Sequence, residues 1–429
     1  MNIIERGREF VQSLQRLVRR SAWEWRRCPH CGSTLTVKNG SYTRHPWTFV
    51  GRVDVRVQRH RCQECRRSYA EQSPLWVAGS WYAREVRRYT LDWWLHGGGS
   101  LRRIAEMTRS LLGRQERWQI WRPLDTPGSS GERCCLSPST LHRWLDQAGR
   151  AAQQSSAGQL EGIAATQAVG ADGLWARLRG GAKRVVLMVV DSVTGLAFPP
   201  LAALGEAGAG VWQELFARAR SAGLDVEGLR GVTSDGAYGL AAYVREGLAW
   251  VQHQRCVWHL WRTLGRELKR IAAATAQGMA DEAAKQFRQR VRDELAPLIR
   301  AVIDAPSYAQ GELALELLKA HEWGGSIAHL LNAQLDSILA HGVDYYRGLQ
   351  RVGPEWYWRD FRLRLSRGRN HGSEQRLERA VLLWAVYRNF TPAQRRSERK
   401  RRYRYPGQSP LQVAGAPPGN ISYLDALGV

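Results

Sequence analysis

With 429 residues, 44% of them hydrophobic, the chain exceeds one ordinary domain and has apolar material for several packed cores. A formal charge of +24 and seven cysteines argue against an acidic carrier and against a disulfide scaffold, which needs paired thiols. No apolar run approaches the ~18 residues of a membrane helix, and the basic, amphipathic start does not resemble a secretion signal.

The charge is unevenly placed. Residues 1–150 hold 27 Lys and Arg against 13 Asp and Glu, residues 361–429 hold 14 against 4, and residues 151–360 hold 22 of each. Arginine-rich codon usage would load the whole chain. Two basic flanks around a neutral middle fit a nucleic-acid polyanion better. Free thiols and the absence of membrane segments suggest a cytoplasmic, nucleoid-associated protein.

In chain order, residues 1–22 predict an amphipathic helix, with Ile3, Ile4, Phe10, Val11, Leu14, Leu17 and Val18 at roughly helical spacing. It would serve as a dimer contact, a basic arm or a helix packed on its own domain. Residues 23–75 carry Cys28-Pro-His-Cys31 and Cys62-Gln-Glu-Cys65 around a strand-rich segment. Two such pairs supply four soft ligands for one tetrahedral ion, so a zinc ribbon with one structural Zn²⁺ is expected. Arginines around the knuckles favour DNA contact.

Residues 80–150 predict helices. Gly97-Gly98-Gly99 stops one, Ser100 caps the next, and Ser137 opens a third after an insertion at 111–133. The series suggests a helix-turn-helix whose last helix reads bases through Ser139, Thr140, His142 and Arg143; a plain three-helix bundle is the alternative. Cys134 and Cys135 lack partners at metal spacing and read as buried thiols. Residues 151–165 are small and polar, as in a linker.

An α/β pattern follows. An alternating stretch contains Asp172, a continuous apolar run spans 185–190, and Asp191 to Gly195 is turn chemistry. A helix at 210–222 precedes a strand ending at Asp235, then another helix, then a strand ending before Cys256. Acidic residues at strand ends of such sheets are where ligands and catalytic groups gather. Residues 257–346 are rich in Ala, Leu, Glu and Arg and predict only helices. One more helix, 375–387, follows Glu374, and a basic run covers 395–405. The domain division expected is thus 1–22, 23–75, 80–150, a core from 166–260 and 366–390, a helical insertion at 261–365, and a basic tail at 391–429.

Asp172 in GADGLW, Asp235 in VTSDGAYG, Cys256-x-x-His259 and Glu374 in NHGSEQRLERA together resemble the DDE transposases of bacterial insertion sequences, close to the Mutator-like group. The resemblance covers most of 20–390. It implies a multidomain α/β protein: a ribonuclease-H-like mixed-sheet core with an all-α insertion, preceded by a zinc ribbon and a helix-turn-helix. It also implies an enzyme that binds the terminal inverted repeats of a mobile element, cleaves its ends with two Mg²⁺ (or Mn²⁺) on Asp172, Asp235 and Glu374, and joins the 3′-OH to double-stranded target DNA as a homodimer or larger. In such relatives an Asn usually stands three residues before the Glu. Here Asn370 stands four before Glu374, which leaves Glu378, one helical turn on, as the reserve. Cys256 and His259 share a helix face and would either help hold zinc or brace the sheet. Trp356, Trp358, Arg359 and Arg362 are further candidates for DNA contact. Two other readings remain: a non-catalytic DNA-binding regulator and a nuclease without strand transfer.

Overall fold

The computed structural model describes residues 27–49, 51–52, 54–71, 79–97, 99–114, 136–160, 163, 167–342, 351, 353–366, 371–392, 407–416 and 423–427. The helix expected over 1–22, Cys134, Cys135 and the basic run at 395–405 lie outside these residues. The chain divides into two compact units, one within 1–148 and the other within 149–427.

In the first unit, β1 (Thr36–Arg44), β4 (Val55–Cys62) and β5 (Ser68–Ala70) form an antiparallel sheet with β4 central. A two-stranded ladder, β2 (Trp47–Thr48) and β3 (Gly51–Arg52), lies between β1 and β4 in sequence. The sheet buries little apolar surface of its own: Cys28, Cys62 and Tyr69 form its small core. A sheet with so small a core needs a staple.

Two helices follow, α1 (Arg84–Gly97) and α2 (Leu101–Arg114). The Ser100 hydroxyl accepts from the Arg103 N–H at 3.3 Å and caps α2. Residues 111–114, read from the sequence as part of a loop, continue α2; residues 115–135 are outside the description. The third helix, α3, runs Pro138–Gln159. Residues 151–159, which read as linker, are therefore its C-terminal half. Their alanines favour helix, and the Ser155 hydroxyl is satisfied by the Ala151 carbonyl at 2.9 Å.

The second unit is built on a five-stranded mixed sheet of order β10-β9-β6-β7-β8. The strands are β6 (Ala168–Arg177), β7 (Lys183–Asp191), β8 (Leu201–Ala203), β9 (Gly231–Ser234) and β10 (Gln252–Arg255). The first three form an antiparallel meander, while β9 and β10 run parallel to β6. The third strand lies at 201–203, and Ala197, just after the turn, makes an isolated bridge to Val190. Residues 185–190 of β7 are all buried because both faces of this strand are covered. Val185, Leu187 and Val189 share a core with Trp212, Leu215 and Phe216 of α4 (Ala209–Ser221) and Leu240 and Val244 of α5 (Tyr238–Gly247).

Among the described residues up to 342, five α-helices follow β10: α6 (Val257–Thr275), α7 (Asp281–Ile303), α8 (Tyr308–Ala320), α9 (Gly325–Asn332) and α10 (Leu335–Leu339). Leu260, Leu264 and Leu268 recur every fourth residue on α6 and meet Val291, Leu295 and Ile299 of α7 in a separate apolar core. The buried side chain of Gln254 pins this bundle to the sheet edge. Its Oε1 accepts from the His341 N–H at 2.8 Å and its amide donates to the Ile338 carbonyl at 3.1 Å.

Two helices close the unit, α11 (Glu355–Ser366) and α12 (Glu374–Phe390). Tyr357, Trp358 and Phe361 of α11 are buried with Trp384 and Tyr387 of α12, with ring centroids 5.2 to 6.3 Å apart. The Arg364 guanidinium lies 3.8 Å over the Trp384 ring, a cation–π contact inside this core. In the tail, short helices α13 (Pro410–Val413) and α14 (Tyr423–Ala426) pack back, with Leu411 in the sheet core and Tyr423 edge-on to Tyr387.

Candidate metal centres

The thiols of Cys28, Cys31, Cys62 and Cys65 lie within 4.8 Å of one another. The Cys28–Cys65 and Cys31–Cys62 sulfur pairs are each 3.6 Å apart. Sulfurs held ~2.3 Å from one tetrahedral ion are about 3.8 Å apart, so the group could hold zinc. Cys62 is drawn down to about 7, first by the Cys65 N–H. Cys31 is pushed up to about 12: the Ser33 N–H pulls it down, but burial and the neighbouring thiols outweigh that pull. Four thiolates this close do not ionise together without a cation.

The second centre lies on the sheet of the second unit. Ala171 of β6 stands opposite Ser234 of β9 in a parallel register, so the next residues, Asp172 and Asp235, leave the pair at the same level. Asp172 is 3% exposed. Burial, then the charges of Asp235 and Glu355, push its carboxyl well above the usual carboxylate range. Its Oδ1 accepts from the Gly173 N–H at 2.8 Å, whereas Oδ2 has no hydrogen-bond partner. Asp235 is half-buried, and its Oδ1 accepts from the Ala237 N–H at 2.8 Å before α5. The following Gly236 has φ +77, and a Cβ there would meet the half-buried Arg255 guanidinium. Glycine therefore both turns the chain and leaves room for a cation beside Asp235.

Glu355 comes from the start of α11. Gly170, two residues before Asp172 on the same face of β6, explains its approach: a Cβ on Gly170 would sit 2.8 Å from Pro354 Cδ. The Gly353 N–H donates to the buried Cys256 thiol at 3.3 Å, and the Cys256 N–H donates to the Ser234 carbonyl at 2.6 Å. Cys256 therefore braces the segment leading to Glu355 against the end of β9. Glu355 is 8% exposed; Oε1 accepts from Arg362 at 2.7 Å, and Oε2 has no hydrogen-bond partner. His259, in the first turn of α6, brings Nε2 to 3.7 Å from that Oε2, beyond hydrogen-bond range. Burial lowers its pKa. One donor atom each from Asp172, His259 and Glu355 lie within 4.8 Å of one another. Two buried, unpaired carboxylate oxygens and an imidazole form a donor set that fits a divalent cation.

Glu206, between β8 and α4, extends the acidic surface. Burial and then Asp235 raise its carboxyl pKa, while the Trp175 indole donates to it at 3.0 Å and opposes that rise. His253 donates to or accepts from the Ser234 hydroxyl at 2.6 Å and is pushed down to about 4 by burial.

The remaining residues singled out in the sequence lie elsewhere. Glu374 pairs with Arg184 at 2.5 Å. Arg184 stands opposite Ala176, four residues and about 13 Å along β6 from Asp172. Glu378 accepts from Arg218 and from the Ala202 N–H, each at 2.9 Å. Both glutamates line a separate polar recess of about 480 Å³ with Gln153, Glu214 and Arg379. Neither joins the Asp172 cluster, because α12 starts at the opposite end of the β6–β7 hairpin. Arg362 bonds Glu355, and Arg359 pairs with Asp360 at 3.5 Å. Trp358 is fully buried and cannot meet DNA; the Trp356 side chain lies outside the described residues. In the first unit Ser139 and Arg143 are exposed, His142 is half-buried, and Thr140 exchanges hydrogen bonds with Ser137 and Arg143.

The sequence alone does not single out Glu355 or Glu206. The signal for Glu355 was Pro354-Glu355 opening a helix whose next residues are Trp, Tyr and Trp: an acid at the mouth of an aromatic, core-bound helix. For Glu206, in a Gly-rich loop, no spacing gave it away.

The family model of the Mutator family of transposases matches residues 201–336. That span contains Glu206, Asp235, Cys256 and His259 and supports a transposase role. No curated protein matches the chain.

Proposed function

We propose that the chain is a DDE-type DNA transposase whose catalytic carboxylates are Asp172, Asp235 and Glu355 on a ribonuclease-H-like core. The observation that carries the proposal is the meeting of buried Asp172 and Glu355, from segments 183 residues apart in the sequence, with orphaned oxygens beside Asp235. The sheet order and strand directions suit that core, and the helices between β10 and α11 suit its insertion.

Bound divalent ions, Mg²⁺ or Mn²⁺, would activate a water or a 3′-hydroxyl and stabilise the departing 3′-oxygen. The chain's own residues prepare the site for them. Asp172 holds its proton more tightly than an ordinary carboxyl and gives it up when a cation arrives. Arg362 fixes Glu355 through one oxygen and leaves the other facing Asp172. Tyr238 and Trp258 are exposed, close in sequence to Asp235 and His259, and Trp175 is exposed where its indole meets Glu206; all three offer ring faces to a nucleic-acid end. The Arg262 guanidinium lies 5.7 Å from the Trp258 ring.

In this reading the first unit addresses DNA. Its four thiols hold Zn²⁺ as a ribbon, and α1 to α3 act as a helix-turn-helix presenting Ser139 and Arg143. A dimer or larger would bring two element ends together.

Purified protein with Mg²⁺ or Mn²⁺ and the DNA flanking its gene should nick the element ends and join them to a plasmid. Glu355→Gln and Asp235→Asn should each reduce nicking more than about a hundredfold, and Glu374→Gln should nick nearly as wild type. Undiminished nicking by Glu355→Gln would refute the assignment of the third carboxylate. Binding without nicking by the wild-type protein would favour the regulator, and nicking without joining the simple nuclease.

A further inference from the structure

We propose that His259 is itself a ligand of the divalent ion held by Asp172 and Glu355, so that the site is a mixed nitrogen–oxygen centre favouring Mn²⁺ over Mg²⁺. The inference rests on the active-site reading above and adds the identity of a ligand and the class of cation.

Three observations converge on it. The first is distance. Donors ~2.1 Å from one ion are separated by about 3.0 Å when adjacent and about 4.2 Å when opposite. The His259 Nε2 to Glu355 Oε2 distance of 3.7 Å falls inside that range, yet is too long for a hydrogen bond between them. The Asp172 donor lies within 4.8 Å of both.

The second is the set of unmet polar atoms. Asp172 Oδ2 and Glu355 Oε2 are both buried and lack hydrogen-bond partners among the described residues. Two unpaired carboxylate oxygens facing one another beside an imidazole would be strongly unfavourable if nothing joined them. A shared cation satisfies both oxygens and Nε2 at once.

The third is the way the ring is held. His259 lies in the first turn of α6, three residues after Cys256, whose thiol accepts from the Gly353 N–H. The same short turn thus braces the approach of Glu355 and carries the ring that meets it. The Trp258 ring stands edge-on to the imidazole with centroids 4.7 Å apart. Among the described residues, Cys256 is not part of the ligand cluster; its role is to position the segment.

An imidazole nitrogen alters metal choice. Mg²⁺ prefers oxygen donors and retains much of its water, whereas first-row transition ions accept imidazole readily. Mn²⁺ is the member of that group that also accepts carboxylates and water as Mg²⁺ does.

The test uses full-length protein with its cysteine cluster loaded with Zn²⁺, and Mn²⁺ as the probe. Pulsed electron paramagnetic resonance of bound Mn²⁺ should show ¹⁴N coupling from a directly ligated imidazole. Incorporating [¹⁵N]histidine into the wild-type chain should replace it with a ¹⁵N signal, without any substitution to disturb folding. His259→Gln should abolish the coupling and weaken Mn²⁺ binding about tenfold or more, with a smaller loss for Mg²⁺. Mn²⁺ that binds in an Asp172-dependent manner with no nitrogen coupling would overturn the ligand assignment while leaving the active site standing. Coupling that survives in His259→Gln would overturn it as well. Mn²⁺ binding unaffected by Asp172→Asn would instead remove the active-site reading on which the proposal rests.

Discussion

Asp172 is a residue whose local stability and whose proposed function oppose each other. Its buried carboxylate is repelled by Asp235 and Glu355, so the folded chain holds its proton above the usual carboxylate range. Between the ordinary and the raised pKa the folded state binds a proton that the unfolded state has released, so this group's contribution to stability falls as pH rises through that window. With chelator present, Asp172→Asn should raise the melting temperature at pH 8 by a few degrees, on the order of 1 kcal/mol, while eliminating nicking. Excess Mn²⁺ should reverse the ranking, because only the wild type binds the ion strongly. Scanning calorimetry at pH 8 with and without Mn²⁺ checks both halves, and an Asn variant less stable in chelator would contradict the geometry. His253 acts in the opposite direction. It is pushed down to about 4, so the stability it gives is complete above the unfolded value near 6.5 and is lost as pH falls from there to about 4. His253→Gln should flatten that acid limb in urea titrations, a difference on the order of 3 kcal/mol at most.

At the scale of elements, two joints decide whether the second centre forms. One is Gly170, over which Pro354 passes on its way to Glu355. Gly170→Val would place two methyl groups where Pro354 Cδ lies, at a cost of about 1–3 kcal/mol, and should remove Mn²⁺ binding while the far-ultraviolet spectrum stays native. The other is Gln254, which ties β10 to the helices after it. Gln254→Leu would leave the His341 N–H without its acceptor and the Ile338 carbonyl with only the His341 ring nitrogen, and should cost about 1–2 kcal/mol in equilibrium unfolding. The same joints mark where sequence reasoning succeeded and where it stopped. The β7 run at 185–190 was legible because a strand covered on both faces must be apolar throughout, and the leucines of α6 were legible because they face one neighbour. β10 is expected from the sequence as a strand ending before Cys256, but QHQR itself carries no such pattern; it is a strand because β9 pairs with it and Gln254 has bundle groups to bond. Glu355 was invisible for a related reason. Its helix was read as part of the insertion, and nothing within a few residues of it reveals that Gly170 has left space for it on a strand far upstream. The half of α3 at 151–159 was lost to composition, since small polar residues read as linker until their backbone is seen to be helical.

For the whole molecule, the distribution of charge bears most directly on function. The basic excess lies before residue 150 and after residue 361, while the stretch carrying Asp172, Asp235, His259 and Glu355 is neutral. DNA affinity should therefore depend steeply on salt and survive Asp235→Asn, because phosphate neutralisation and catalysis use different residues. Stripping the four-thiol cluster with a strong zinc chelator should cost specific binding, as the β1-β4-β5 sheet has little apolar core with which to stay folded. Filter binding across a salt series, before and after chelation, measures both effects.

The cluster of Asp172, His259 and Glu355 draws on one strand and two helices that lie far apart along the polypeptide. A copy of the gene interrupted anywhere between β10 and α11 would still encode the four-thiol sheet and α1 to α3, but would omit Glu355, which the proposed function makes one of the three catalytic carboxylates. Such a shortened product would occupy element ends unproductively and compete with intact copies. Damaged descendants of the gene would then act in the cell as brakes on the working one.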